Sequence, residues 1–376
     1  MYNIALISGD GVGPEIAREG RKILDATSNR FSLDIKWHEF PFGSEHFLKT
    51  GELLPDSALN EIKDMDAIYF GAVGDPRIKP GILEKEILLK IRFYFDQYIN
   101  LRPIKLYKGI HCPLKGKTIE DIHFYVVREN TEDFYIGTGG HFKGKRSEDY
   151  LEVTRELFKA KIGVDFQLAE EEEIAYQIGL ISRPGAHRVI KFAFDLAKKK
   201  SMRRVTSVDK ANVLTNIYGL WREVFNQVSK QYEDIETEFN FVDAITMYFI
   251  QKPEWFKVVV TPNMFGDIIT DLGAMIQGGL GVAVGGNINP EGVSMFEPVH
   301  GSAPDIAGKN IANPIAMTLS GAMMLDHLGE TQAAAAVENA VESVLSVGKV
   351  RTCDLGGSSS TNEVGDEIAR MIIENN

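Results

Sequence analysis

Two aspartates four residues apart, Asp267 and Asp271, stand in the run Asn263-Met264-Phe265-Gly266-Asp267-Ile268-Ile269-Thr270-Asp271. An apolar run, Val258-Val259-Val260, precedes them and reads as a buried strand. A helix starting near Gly266 would put both carboxylates on one face, because positions i and i+4 are neighbours there. Carboxylates held side by side repel each other unless a cation lies between them. The plainer alternative is an acidic first turn that complements the helix dipole.

Three further groups bear on the same chemistry. Arg92 and Arg102 lie ten residues apart, and Arg128 ends the apolar run Phe124-Tyr125-Val126-Val127. Guanidinium groups at the ends of buried strands grip carboxylates through paired N–H donors. For any one of them alone, a salt bridge to a nearby acid would serve equally well. Lys210, in Ser207-Val208-Asp209-Lys210-Ala211-Asn212-Val213-Leu214, ends another apolar strand. A desolvated lysine can act as a general base, and an ion pair with Asp209 is the alternative. The run from Met295 to Gly308, rich in Gly, Ala and Pro, reads as a long ordered loop whose backbone N–H groups suit a nucleotide.

The elements that must hold these groups follow from the alternation of strand-like and helical patterns, which signals an α/β protein. Ile4-Ala5-Leu6-Ile7 precedes the turn Gly9-Asp10-Gly11-Val12-Gly13, and Pro14 opens a helix with Ile16, Gly20, Ile23 and Leu24 on one face. That turn lacks the G-x-G-x-x-G spacing of a dinucleotide-binding Rossmann turn, and no G-x-x-x-x-G-K-[ST] phosphate loop occurs. Ala67-Ile68-Tyr69-Phe70 and Val205-Thr206-Ser207-Val208 are further strands. Asn313-Pro314 starts a helix that runs to Leu328 and stops at Gly329. Val337, Ala340, Val341, Val344 and Leu345 form an apolar stripe closed by Gly348. The acidic run Glu170 to Glu173 reads as a solvated helix start.

The chain has 376 residues, enough for two sizeable domains, with 44% hydrophobic and 25% charged residues. A formal charge of -12 argues against nucleic acid or an anionic membrane as the main partner. Two distant cysteines, Cys112 and Cys353, fit a reducing compartment, and no apolar stretch or basic leader suggests a span or a signal. The expected location is the cytoplasm.

Several segments, in order along nearly the whole chain, resemble the β-decarboxylating dehydrogenases of isopropylmalate, isocitrate, homoisocitrate, tartrate and D-malate. They are Gly9 to Glu15, Phe70-Gly71-Ala72-Val73-Gly74, Asn100-Leu101-Arg102-Pro103, Val127-Arg128-Glu129-Asn130-Thr131-Glu132, the lysine run, Phe265-Gly266-Asp267-Ile268 and His300 to Gly308. The resemblance implies that family's two-domain α/β fold, not a Rossmann fold, with a dimer-clasp arm. A cofactor-side domain would span 1–97 and 278–376. A dimerisation, substrate and metal domain would span 98–277, with the clasp arm at 136–182.

It also implies NAD and Mg2+ or Mn2+ as cofactors, oxidation of a (2R)-malate-type substrate at C2, and loss of CO2. Asp267 and Asp271 match metal ligands of one subunit, and Asp243 matches the ligand lent by its neighbour. Arg92, Arg102 and Arg128 match the clamp on the substrate carboxylates. Lys210, also lent, matches the base at the C2 hydroxyl, and Tyr135 the acid that protonates the product carbon. Asn212, Glu297, His300, Gly301, Ser302, Ala303, Asp305, Ile306 and Asn313 match the cofactor side. Asp305 would meet the adenosine ribose, where a carboxylate repels a 2′-phosphate, so NAD is expected over NADP.

Leu88 and Leu89, with Val213 of the neighbouring subunit, match the contacts to the C3 substituent. Their apolar character implies an alkyl-malate such as 3-isopropylmalate first, and D-malate or tartrate second. A non-catalytic regulatory paralogue and a dehydrogenase that does not decarboxylate are the competing classes. The spacing between Gly140 and Ile181 implies an arm longer than that of relatives, with Val153, Leu157, Phe158, Ile162, Val164 and Phe166 extending the clasp or packing over the site.

Overall fold

In the computed structural model, which describes residues 1–374, the chain divides into two compact units. One comprises Met1–Tyr125, Phe249–Trp255 and Thr270–Asn376, the other Val126–Tyr248 and Phe256–Ile269. The first unit opens with β1 (Tyr2–Gly9), the glycine-rich turn and α1 (Gly13–Phe31). Pro14 lies in the first turn of α1, and Ile16, Gly20, Ile23 and Leu24 are buried as the periodicity predicts. Then come β2 (Ile35–Phe40), α2 (Ser44–Thr50), α3 (Asp56–Ile62) and β3 (Ala67–Ala72). A π-helical turn, Glu84–Leu89, runs straight into α4 (Lys90–Tyr94), and β4 (Ile99–Lys105) follows.

The second unit begins within β5 (His123–Glu129). Its next strands, β6 (Gly139–Thr154) and β7 (Lys159–Gln177), pair antiparallel as a long ribbon. After it come α5 (Arg183–Lys199), β8 (Arg204–Asp209), α6 (Thr215–Ser229), β9 (Glu236–Phe241), α7 (Val242–Gln251), β10 (Val258–Thr261) and α8 (Asn263–Ile276). The strand order here is β5-β10-β8-β9, with β10, β8 and β9 parallel. The inner strand β10 is buried on both faces and reads as an apolar run, whereas β9 at the edge is more polar and only partly buried.

The first unit resumes with β11 (Val284–Ile288), β12 (Ser294–Pro298), α9 (Ile315–His327), α10 (Thr331–Val347) and α11 (Thr361–Glu374). Its strand order is β2-β1-β3-β12-β11-β4. The pairs are parallel except where β11 runs antiparallel to β12 and to β4. Ile23, Leu24, Met317, Val337, Val341 and Ile368 belong to one core under the helices, and Ala5, Ile7, Ile68, Phe70, Ile87 and Ile91 to another. Asn313 caps α9 through its side-chain oxygen, which accepts from Ile315 N–H at 3.0 Å.

Four expectations are corrected. Helix α8 starts at Asn263, not near Gly266. The Asp133 carboxylate, distant in sequence, accepts from Met264 N–H at 2.9 Å and so supplies a cap that no local pattern shows. Asp267 therefore lies beyond the first turn. The run Glu170–Glu173 belongs to β7, where exposed carboxylates face bases across the ribbon, as in the 3.2 Å pair of Lys145 with Glu170. Met295 to Pro298 form most of β12, so the loop begins at Val299. The boundaries of the compact units also differ from 97/98 and 277/278. Pairing with β11 keeps β4 in the first unit, and residues 270–277 belong there too.

Gly9 shows how closely β1 and β3 end. Its φ is 72°, and a Cβ there would fall 1.9 Å from the Ala72 carbonyl oxygen. Gly51 has a similar φ of 75° with open space around it. Gly9→Ala is expected to cost at least ~2 kcal/mol and Gly51→Ala about 1 kcal/mol, read as shifts in the unfolding midpoint. Equal shifts would mean that backbone conformation, not the close approach, sets the requirement.

Candidate active site

In the second unit the end of β5 meets the start of α8. Arg128 is 1% exposed, so its charge must be compensated by protein groups. Asn263 Oδ1 accepts from Arg128 Nε at 3.0 Å and from Nη2 at 2.8 Å, and Nη1 pairs with the Asp267 carboxylate. The other Asp267 oxygen accepts from the Tyr135 hydroxyl at 2.7 Å. The Arg128 guanidinium lies 5.0 Å from the centre of the Tyr135 ring. Gly266 permits this approach, because a Cβ there would fall 2.4 Å from Arg128 Cγ. Arginine, aspartate and a phenol that can carry a proton thus form one cluster.

Also in this unit, Lys210 Nζ donates to Asp243 Oδ1 at 2.7 Å. The lysine holds the exposed Asp243 carboxyl below its ordinary value. The expected alternative partner, Asp209, is instead gripped by Arg222 through bonds of 2.7 and 3.0 Å. Asn212 and Val213 are exposed, Val213 by 66%.

In the first unit, Arg102 donates through Nε to Asn100 at 2.8 Å and through Nη1 to Thr270 at 2.6 Å, with Asp271 at 3.5 Å. From Asn100 a buried chain continues: its amide donates to Asn287 Oδ1 at 2.9 Å, and the Asn287 amide donates to Glu297 Oε1 at 2.7 Å. Arg92 Nη2 reaches the same Glu297 oxygen at 3.1 Å. Leu88 and Leu89, both half-buried, end the π-helical turn just before Arg92.

The loop after β12 is tied to the glycine-rich turn, because Ser302 carbonyl accepts from Val12 N–H at 2.8 Å. Gly301, Ala303 and Asp305 are exposed, Ile306 is half-buried, and Ala303 has a φ of 40°. His300 is driven toward its neutral form by burial. Asn313 at the loop's end donates to Asp354 at 2.9 Å.

Among the described residues of one protomer, no three His, Cys, Asp or Glu side chains gather into a metal-binding group. Asp267 and Asp271 share helix α8, while Asp243 is paired with Lys210. An all-carboxylate donor set suits a hard divalent cation. Sequence reasoning missed Asn263, Thr270, Asn100 and Asn287 as partners of the arginines. Asn263 and Thr270 bracket the aspartate run, which was the available signal; Asn287 pairs with a residue 187 positions away and had none.

Beneath Arg128, the fully buried Glu129 accepts from Thr131 N–H and hydroxyl and from Glu132 N–H. Glu132 accepts from Ser182 N–H and hydroxyl at 2.7 and 2.6 Å. Burial, then the Glu132 carboxylate, pushes Glu129 up to about 7.

Known proteins resemble this chain over nearly its whole length. The family model for isocitrate/isopropylmalate dehydrogenase matches residues 3–368. A protein of Thermobifida fusca (strain YX) named 3-isopropylmalate dehydrogenase is 44% identical over 99% of this chain and 98% of its own. A 3-isopropylmalate dehydrogenase of Frankia casuarinae is 43% identical over 97% of this chain and 98% of its own. The crystal structure of isocitrate dehydrogenase from Methylococcus capsulatus superposes with a TM-score of 0.85 at 34% identity, covering 100% of both chains. The protein is thus a dehydrogenase by fold and by kinship. It belongs to the isocitrate/isopropylmalate dehydrogenase family.

Glu129 generates a pH test. Its native value near 7 exceeds the unfolded value of about 4.3, so the native state binds the proton more tightly. The stabilisation is complete below the unfolded value and is lost as pH rises through the native one. Relative to the natural protein, Glu129→Gln should gain stability steadily between about pH 4.5 and about pH 7 and level off above that, measured by thermal melts. A constant difference across that range would contradict the raised value.

Proposed function

We propose that the protein catalyses the NAD-dependent, divalent-metal-dependent oxidative decarboxylation of 3-isopropylmalate. The observation that carries this is the cluster of the buried Arg128 with the half-buried Asp267 and Tyr135, where Asp267 stands on an α8 helix that also bears Asp271, in a chain 44% identical to a protein of that name. An anion-binding arginine, a cation-binding carboxylate and a proton-bearing phenol are what a hydroxy diacid needs when it is oxidised and then loses CO2.

In this scheme Arg92, Arg102 and Arg128 bind the substrate carboxylates through their guanidinium donors. Lys210 of the partner subunit takes the proton of the C2 hydroxyl, and Tyr135 delivers a proton to the carbon that CO2 leaves. Leu88 and Leu89, with Val213 of the partner subunit, receive the C3 alkyl group. Asp267, Asp271 and Asp243 of the partner subunit would hold Mg2+ or Mn2+, which when bound polarises the C2 oxygen. Asn212, Glu297, Asn313 and the loop residues His300, Gly301, Ser302, Ala303, Asp305 and Ile306 hold NAD, which supplies the hydride acceptor. Asp305 disfavours a 2′-phosphate.

The active form is a homodimer in this reading. Helix α7 exposes Met247 and Ile250 beside Asp243, and α8 exposes Ile268 and Met275 beside Asp271, apolar surface that a second copy would cover. Lys210 and Asp243, already paired at 2.7 Å, would be lent together. The unit with the 299–313 loop serves the cofactor, and the unit with the β6–β7 ribbon serves dimerisation. Among the described residues no helix is long and apolar enough to cross a membrane.

The test is NADH formation with Mg2+ or Mn2+ and each of 3-isopropylmalate, D-malate, tartrate and isocitrate. The highest kcat/KM is expected for 3-isopropylmalate, with activity abolished by a chelator and restored by Mn2+. Tyr135→Phe should lower kcat by about 10²–10⁴ with little change in KM. A preference for D-malate or isocitrate would overturn the alkyl-group assignment, and no turnover of any of the four would overturn the reaction.

A further inference from the structure

Asp133, two residues before Tyr135, has no accessible surface and a backbone φ of 62° with ψ of −142°. That conformation is strained for any residue with a Cβ and is populated almost only by glycine. A side-chain-bearing residue persists there only when its surroundings over-determine it, and such sites cluster where strain serves function.

Three sets of bonds hold Asp133. Its N–H donates to the Leu180 carbonyl at 2.7 Å, and its carbonyl accepts from Leu180 N–H at 3.3 Å. Its Oδ2 accepts from Met264 N–H at 2.9 Å, satisfying one of the donors that the first turn of α8 leaves without a helical partner. Its Oδ1 accepts from the hydroxyl of the fully buried Tyr218 at 3.0 Å. Tyr218 lies in α6, the helix that directly follows the Lys210–Val213 segment. The strained turn carries Tyr135, the capped helix carries Asp267, and these two side chains meet at 2.7 Å.

A glycine would adopt this backbone without strain, and a capping residue could have stood on α8 itself. The arrangement accepts strain in order to place one carboxylate where it bonds two other elements at once. We propose that Asp133 is a positioning residue: its carboxylate locks the Tyr135 turn to the start of α8 and to α6, and so sets where the Tyr135 hydroxyl can deliver its proton. The proposal rests on the roles given above to Tyr135 and Asp267.

Two substitutions separate positioning from mere stability. Asp133→Gly relaxes the backbone and removes both side-chain bonds. Asp133→Asn keeps the shape, an oxygen for Met264 N–H and an amide that can donate to the Tyr218 oxygen. Asp133→Gly should lower kcat about a hundredfold, as a misplacement of about 1 Å can, with KM within about threefold of the natural value. Asp133→Asn should restore kcat to within about fivefold. Amide hydrogen exchange over the first turn of α8 should quicken in Asp133→Gly and not in Asp133→Asn.

A kcat for Asp133→Gly within about threefold of natural, or Asp133→Asn as slow as Asp133→Gly, would overturn the proposal. So would unchanged exchange in Asp133→Gly. If Asp133→Gly does not fold, Tyr218→Phe carries the test: a kcat loss of about tenfold supports the lock, and an unchanged kcat overturns it. If the natural protein oxidises none of the four hydroxy acids, the reaction assignment fails on its own. Exchange then decides whether Asp133 locks α8: loosening supports it and no change refutes it.

Discussion

The structure turns on a charge problem on one helix. Helix α8 carries Asp267 and Asp271 at positions i and i+4, where like charges destabilise a solvated helix by about 0.2–0.5 kcal/mol. Each is answered by a cation. Arg128 pairs with Asp267, and Arg102 lies 3.5 Å from Asp271. Arg128 is fully buried, so it also needs its aspartate: an unpartnered guanidinium away from water would cost more than the pair. Gly266 clears the way for one arginine, Thr270 accepts from the other, and Asn263 holds the first in a two-donor fork. The composition of α8 follows from this balance more than from helix propensity.

Much of this was legible in the sequence, for identifiable reasons. The buried strands β1, β3, β8 and β10 announce themselves as short apolar runs, and α9 and α10 stop at Gly329 and Gly348, which have φ of 91° and 70°. The arginines and aspartates stood out because charges at the ends of apolar strands need an explanation. What was illegible depended on partners far away in the chain. The start of α8 is set by Asp133, some 130 residues earlier, as the 131-residue separation of its bond to Met264 shows. The division into units depends on β4 pairing with β11, which no local pattern encodes.

The ribbon was misjudged for a different reason. Four consecutive glutamates are compatible with any fully solvated segment, so the run carries little information about helix or strand. The flanking residues decide the matter. Phe142, Phe166 and Tyr176 pack against one another on β6 and β7 as tilted rings with centres 5.2 and 5.0 Å apart, and the Tyr176 hydroxyl donates to Asp149 at 2.6 Å. Cross-strand aromatic contacts of this kind stabilise a two-stranded ribbon that has no core of its own. The alternation of half-buried and exposed residues along both strands is the period-2 pattern that the acidic run interrupts.

The two arginines of the first unit are not independent. Arg102 bonds Asn100, Asn100 bonds Asn287, and Asn287 shares one oxygen of Glu297 with Arg92. Every group in this chain is buried, so each bond is worth more than at the surface and each loss leaves a stranded donor or acceptor. A shift of either guanidinium must therefore be answered along the whole chain. The amides are the economical links, since each accepts with its oxygen and donates with its nitrogen, carrying the constraint from one cation to the other without adding charge. An anion held by both arginines would meet two cations whose separation is already set, which lowers the ordering cost of binding it.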